Sequence, residues 1–168
     1  MAWTTPGTAV AGDVLTAAFW NQQVRDNSLE LAPFFAAWTS YTPVVEQVST
    51  RTSTVINARY QTIGKRIIVN ASLTITQAGT TGNHIAVSLP TALTSRITTG
   101  DHAVGTFIYY RTAGTRYAGT AIIARGFTGD SKLVFISGQA ASNLVGIDPG
   151  FATANGDTLS FSVQYETS

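Results

Sequence analysis

The sequence predicts an all-β domain carried on a short N-terminal anchor. Three observations predict it. Apolar and polar residues alternate over most of the chain beyond residue 43, Gly, Asn and Asp punctuate the gaps, and a helical period is confined to residues 16–31. Short strands at such spacing favour a β-sandwich or jelly-roll-like arrangement.

Residues 1–33 read as the anchor. Pro6, Gly7 and Gly12 make its first part an extended arm, with Trp3, Val10, Val14 and Leu15 as apolar members. A tryptophan on an arm expects a pocket, in its own body or in a partner. Thr16 is placed to cap a helix that runs to about Leu31 and ends before Pro33. Trp20, Val24, Asn27 and Leu31 fall at i, i+4, i+7 and i+11, with Phe19 beside them. A helix this short is marginal alone and must dock. An Asn inside an apolar seam can fix the register of a self-associating bundle. The same stripe could equally pack on the chain's own β domain.

Residues 34–43, with Phe34, Phe35, Trp38, Tyr41 and Pro43, read as an aromatic hinge before a β domain over 44–168. Strands are expected at 44–48, 54–63, 66–76, 85–89, 104–110, 116–124, 133–136 and 159–165. In the third, Ile67, Val69, Ala71, Leu73 and Ile75 share one face, and a one-residue slip would bury the polar row. Turns are expected at Gly64-Lys65, Gly79 to Asn83, Gly100-Asp101, Ala113-Gly114, Gly129-Asp130 and Asn155-Gly156-Asp157. Asn155-Gly156 carries the strongest hairpin signal.

Composition excludes several classes. Only 11% of the 168 residues are charged, against about 25% in ordinary domains. The 10 basic and 9 acidic side chains nearly cancel and form no basic cluster, which argues against nucleic-acid binding. A sparsely charged Thr- and Gly-rich surface suits repeated contact with neighbours, because few charges need desolvating. The chain has no cysteine, and no run approaches the ~20 apolar residues of a membrane span. The opening residues carry no basic and apolar leader, so synthesis in the cytoplasm without a signal peptide is expected.

Signals for chemistry are weak. His84 and His102 have no third ligand partner in sequence, so no metal or cofactor is expected. Asp101, Asp130, Asp148 and Asp157 sit in turn sequences, where an Asp bonds its own backbone. That accounts for them without glycoside hydrolysis, and no catalytic residue is expected. Tyr109, Tyr110 and Tyr117 flank one turn and form a candidate platform for stacking sugar rings, with strand packing or a subunit interface as the plainer account. Asn70-Ala71-Ser72 matches a glycosylation sequon but lies mid-strand.

The opening segment runs Trp3-Thr4-Thr5-Pro6, then Val10-Ala11-Gly12-Asp13-Val14-Leu15-Thr16-Ala17, then Asn21 and Val24-Arg25-Asp26-Asn27. It resembles the N-terminus of minor tail and minor structural proteins of tailed bacteriophages, over roughly the first quarter of the chain. Trp38 to Pro43, Ala58 to Lys65 and Val87 to Pro90 are similar to the opening of those proteins' β domains. The bulky Phe19-Trp20 pair departs from the smaller residues usual before Asn21.

The resemblance implies a virion protein with its N-terminus in the particle and its β domain outside, possessing no enzymatic activity. Its partners would be a major capsid or tail protein and further copies of itself, as a homotrimer. Trp3, Val14, Leu15, Phe19, Trp20, Val24, Asn27 and Leu31 would form the interface. Head decoration is favoured over a tail position, because a compact chain suits many copies. A receptor- or carbohydrate-binding module that recognises a host surface glycan is the alternative, and a glycan hydrolase the third reading.

Overall fold

The structure, a computed structural model, describes residues 14, 16–32, 37–90, 101–124, 132–137, 144–147 and 150–167. Trp3, Leu15, Phe34, Phe35, Asp130 and Asp148 lie outside them.

The helical stretch has three parts: α1 (Ala17–Trp20), a π-helical segment (Asn21–Asp26) and α2 (Asn27–Leu31). Thr16 caps it as expected, its Oγ1 accepting from the Phe19 N–H at 3.1 Å. The π segment changes the phase of everything after it, because its turns are wider than 3.6 residues. The expected single stripe is therefore broken. Asn27 is buried, and its Nδ2 donates to the Gln23 carbonyl at 3.4 Å, while Trp20, Val24 and Leu31 are exposed.

Among the described residues ten strands follow: β1 (Thr39–Ser40), β2 (Val45–Gln47), β3 (Ser49–Arg51), β4 (Ser53–Ile63), β5 (Arg66–Ile75), β6 (Ala86–Ser88), β7 (Asp101–Tyr110), β8 (Arg116–Ala124), β9 (Lys132–Ser137) and β10 (Thr158–Glu166). All pair antiparallel in one sheet, in the order β1-β4-β5-β10-β7-β8-β9-β6-β2-β3. The fold class is all-β, as expected, and the sheet curls around one core. The order is that of one continuous sheet; a jelly roll, made of two separate four-stranded sheets, is a finer arrangement than this pairing carries.

Alternation drives the curl. Ile67, Val69, Leu73 and Ile75 on β5 and Leu159, Phe161, Val163 and Tyr165 on β10 all point inward. β9 departs from simple alternation, since Leu133, Val134 and Phe135 are all buried. Leu133 and Phe135 join the main core, while Val134 packs with Ala86, Ile122 and Leu144 in a second, smaller cluster. Residues 144–147 supply that second cover, so β9 is buried on both faces.

Two expectations about connections need correction. Asn155-Gly156 is a turn, with Gly156 at φ +89°, but it does not join two paired neighbours. The strand after it, β10, inserts between β5 and β7. Asp101 lies in β7 opposite Ala124 rather than in a turn. The described part of the hinge is bound to the sheet: β1 pairs with Arg59 and Tyr60, and the Tyr41 N–H donates to the Ala58 carbonyl at 3.1 Å.

Strand direction separates two ends of the body. β1 runs antiparallel to β4, so the chain arrives at Thr39 from the end that bears the Gly64-Lys65 turn. The opposite end gathers Val48, residues 76–83, the 111–115 turn and residues 150–157.

Candidate functional site

The helix is the first candidate. Trp20 is 55% exposed, Leu29 51%, Leu31 45% and Val24 42%. A short helix normally hides such side chains against its own domain. Here its substantial contacts run within the helix itself, α1 and α2 each against the π segment. Val14, just before the cap, is also exposed, and Phe19 is half-buried. Of the expected interface residues, the structure thus brings Trp20, Val24 and Leu31 to the surface and sets Asn27 apart. Arg25 pairs with Asp26 at 2.9 Å on the exposed side. That pair is solvent-screened and adds little stability.

The expected tyrosine platform does not form. Tyr109 is 0% and Tyr117 8% exposed, and both belong to the core. Phe151 explains why: its ring stacks on Tyr117 with centroids 5.0 Å apart and tilts against Tyr109 at 5.3 Å. Tyr109 and Tyr117 are cross-strand partners on the inner face, whereas Tyr110 and Arg116 are partners on the outer face. Tyr110 alone of the three stays accessible, with the Arg116 guanidinium 5.1 Å from its ring centroid.

Two polar networks that sequence reading missed hold the end opposite the Gly64-Lys65 turn. Asp157 is fully buried and accepts four hydrogen bonds. They come from Tyr109 Oη (2.7 Å), Thr112 N (2.9 Å), Thr112 Oγ1 (2.7 Å) and Ala154 N (2.9 Å). Burial alone would raise its carboxyl, but the bonds from Thr112, Tyr109 and Ala154 outweigh burial and hold it below the ordinary 3.8. Burial first, then the bond to Asp157, pushes the Tyr109 phenol well above its usual range. The bond to Ala154 is the turn role expected of this Asp. The other three bonds tie it to Tyr109 and to Thr112, far away in sequence.

Gln47 forms the second network. It is fully buried, and its Nε2 donates to the Asn83 (2.9 Å) and Phe151 (2.8 Å) carbonyls while Oε1 accepts from Thr153 N (2.9 Å). Gly79 makes room, since a Cβ there would run into the Gln47 and Thr153 side chains. Arg51 bonds the carbonyls of Ala78 (2.9 Å), Gln47 (2.9 Å) and Ser49 (3.1 Å). Between Gln47 and Ser49 the chain reverses through Val48 alone, at φ +72°. That backbone is strained for a β-branched residue, by about 1–3 kcal/mol, and the bonds on either side hold it.

Ionisable groups elsewhere are few. Lys132 Nζ meets Glu46 Oε2 at 2.6 Å across the sheet, and both are about one-third exposed. His84 sits near this pair; burial lowers its pKa, with Lys132 adding to the effect and Glu46 opposing it. His102 lies exposed on β7. Among the described residues no cluster of three or more His, Asp or Glu side chains is placed to hold a metal ion. Nor is any described helix long and apolar enough to cross a membrane. Set against family models, curated proteins and solved structures, the chain matches none of them.

Proposed function

We propose that this chain is a structural protein of a tailed-phage virion, fixed to the particle through residues 1–31 and displaying its β body outside. One observation carries the reading: Trp20, Val24, Leu29 and Leu31 are apolar, lie on one short helix, and keep 42–55% of their surface exposed. Each such side chain, fully buried on a partner, contributes roughly 1.5–3 kcal/mol. The residue pattern of the opening segment supports the phage context. The partner is a major capsid or tail protein, with head decoration favoured, and the chain acts as a homotrimer. The role is binding and display rather than catalysis. Supporting this, Asp157 spends its carboxylate on four internal bonds, and Glu46 is paired with Lys132.

The test is complementation of a phage lacking this gene, with copies per particle counted by mass spectrometry. The full chain should be incorporated, in hundreds of copies for a head protein and a few for a tail protein. A chain lacking residues 1–31, and a Trp20→Ser/Val24→Ser variant, should remain folded yet be absent from particles. Incorporation of the truncated chain at the full-length level would overturn the reading.

A further inference from the structure

The outer face of the sheet carries a feature that neither the helix nor the two polar networks use. A shallow depression of about 260 Å³ lies over β7 and β10, walled by the side chains of Thr106, Ile108, Ser160 and Ser162. Its floor is the backbone at Phe107 and Phe161, whose rings are buried in the core. Thr106 pairs with Ser162 and Ile108 with Ser160, so hydroxyls face each other across one half and a hydroxyl faces an aliphatic side chain across the other. Ile108 is 55% exposed. The next outward residue along β7 is Tyr110, paired with Thr158 on β10 and with Arg116 on β8.

The depression owes its form to the backbone. β7 is bulged between Ala103 and Gly105, and a Cβ at Gly105 would run into the Ser162 carbonyl. Gly105 therefore lets β7 approach β10 closely beside Thr106. Ser160 is oriented by its hydroxyl contact with Ser72, 2.9 Å away on β5.

We infer that this depression, with Tyr110 at its end, is a binding site for a neutral oligosaccharide. The inference deepens the display reading, because it concerns what the outward body meets. Three properties select the ligand class. No acidic or basic side chain lines the depression, so an uncharged ligand is matched there, while the Arg116 cation lies beside it over Tyr110. Short hydroxyl side chains alternate with apolar carbon at Ile108 and Tyr110. A pyranose has the same composition, with a hydroxyl rim around a C–H face that packs on an aromatic or aliphatic surface. The floor is too shallow for the buried aromatic or Arg anchor of a protein partner, while a flat ring fits it. Arg66 and Glu166 lie at the far end of β10, and Arg59 lies on β4, two strands from Ser162.

The test uses the free full-length chain on an array of neutral and acidic oligosaccharides, with titration calorimetry on the hits. Binding to a neutral oligomer is expected, weakened at least tenfold by Tyr110→Ala and by Ile108→Asp. Thr120→Ala, outside the depression, should leave it unchanged. Melting temperatures show that each variant is folded. The assay needs no particle, so its failure is separable from failure of the anchoring role. Absence of binding across the array overturns the inference, as does binding that survives both substitutions. A light-scattering mass that falls from trimer to monomer in Ile108→Asp would give the face to a second copy of the chain and also overturn it.

Discussion

In the sheet, Ile67, Val69, Leu73 and Leu159 have no solvent exposure, whereas in the helix Trp20 and Leu31 keep about half of theirs (55% and 45%) and the polar Asn27 is buried. The contrast is one of closure. Each strand between the edge strands β1 and β3 has neighbours on both sides, so the sheet removes its own apolar surface from water. The helix has its π-disturbed stripe, and Trp20, Val24, Leu29 and Leu31 on it keep 42–55% of their surface exposed. Burial supplies most of the stability of a folded element. An element that leaves its apolar residues exposed gains that stability only by meeting something else. The inward rows of the body are thus closed by the chain itself, whereas the helix keeps apolar surface open to solvent.

Substitutions in the two regions should separate accordingly. The largest effect belongs to the core. Phe135→Ala removes a ring packed on Phe107 and Phe161, at 5.0 and 5.9 Å, and should cost about 3–5 kcal/mol in denaturant unfolding. A much smaller loss would mean that the body is looser than its packing implies. Next comes Asp157→Ala, which strands four donors, three of them on other segments of the chain; a loss of at least ~3 kcal/mol is expected.

The pH dependence of that loss has a definite sign. The Asp157 carboxyl is held below its ordinary 3.8 in the folded chain. Its contribution is therefore complete above that value and fades as pH falls through the folded pKa. Parent and Asp157→Ala should accordingly converge in stability in acid, and a gap that widened there would contradict the network. The smallest effect belongs to the helix. Trp20→Ala in the free chain should change stability by no more than about 0.5 kcal/mol. A cost of several kcal/mol would show that Trp20 is covered after all and would dissolve the contrast.

β4, β5, β7, β8 and β10 were legible in the sequence because each alternates over enough residues to define a face, and the three-residue β2 and β6 because they lie inside the longer stretches 44–48 and 85–89. β1 and β3, two and three residues long, are too short for periodicity to register. β9 was found as a strand, but its double burial depends on residues 144–147, and no local pattern shows a cover arriving from elsewhere. The tyrosines illustrate parity. Tyr109 shares its face with Phe107, an inward residue, and Tyr110 shares its face with Ile108, so alternation already divided the pair. Tyr117 was decided by Phe151, which lies 34 residues further along.

The helix was legible in extent and cap, but its exposed face was not, since a π turn leaves no mark in a residue pattern read at 3.6 per turn. Gln47 was the least legible. A polar residue at the end of a short strand reads as solvated, and its burial depends on Asn83, Phe151 and Thr153 bringing carbonyls and an N–H to it from 36 to 106 residues away. The candidate glycan face was half visible, through Tyr110. Its depression required the register of β7 against β10.

The central position of β10 sets an order of events during synthesis. Residues 158–166 fill the gap between β5 and β7 and bond along both of their edges. Until that stretch has left the ribosome, β4–β5 and β7–β8 are two hairpins with open flanks, and the inward faces of both remain wet. Closure must therefore wait for it, and non-local pairing of this kind is slow. The helix, by contrast, precedes every described strand in the chain, so its apolar side chains emerge while the sheet is still open.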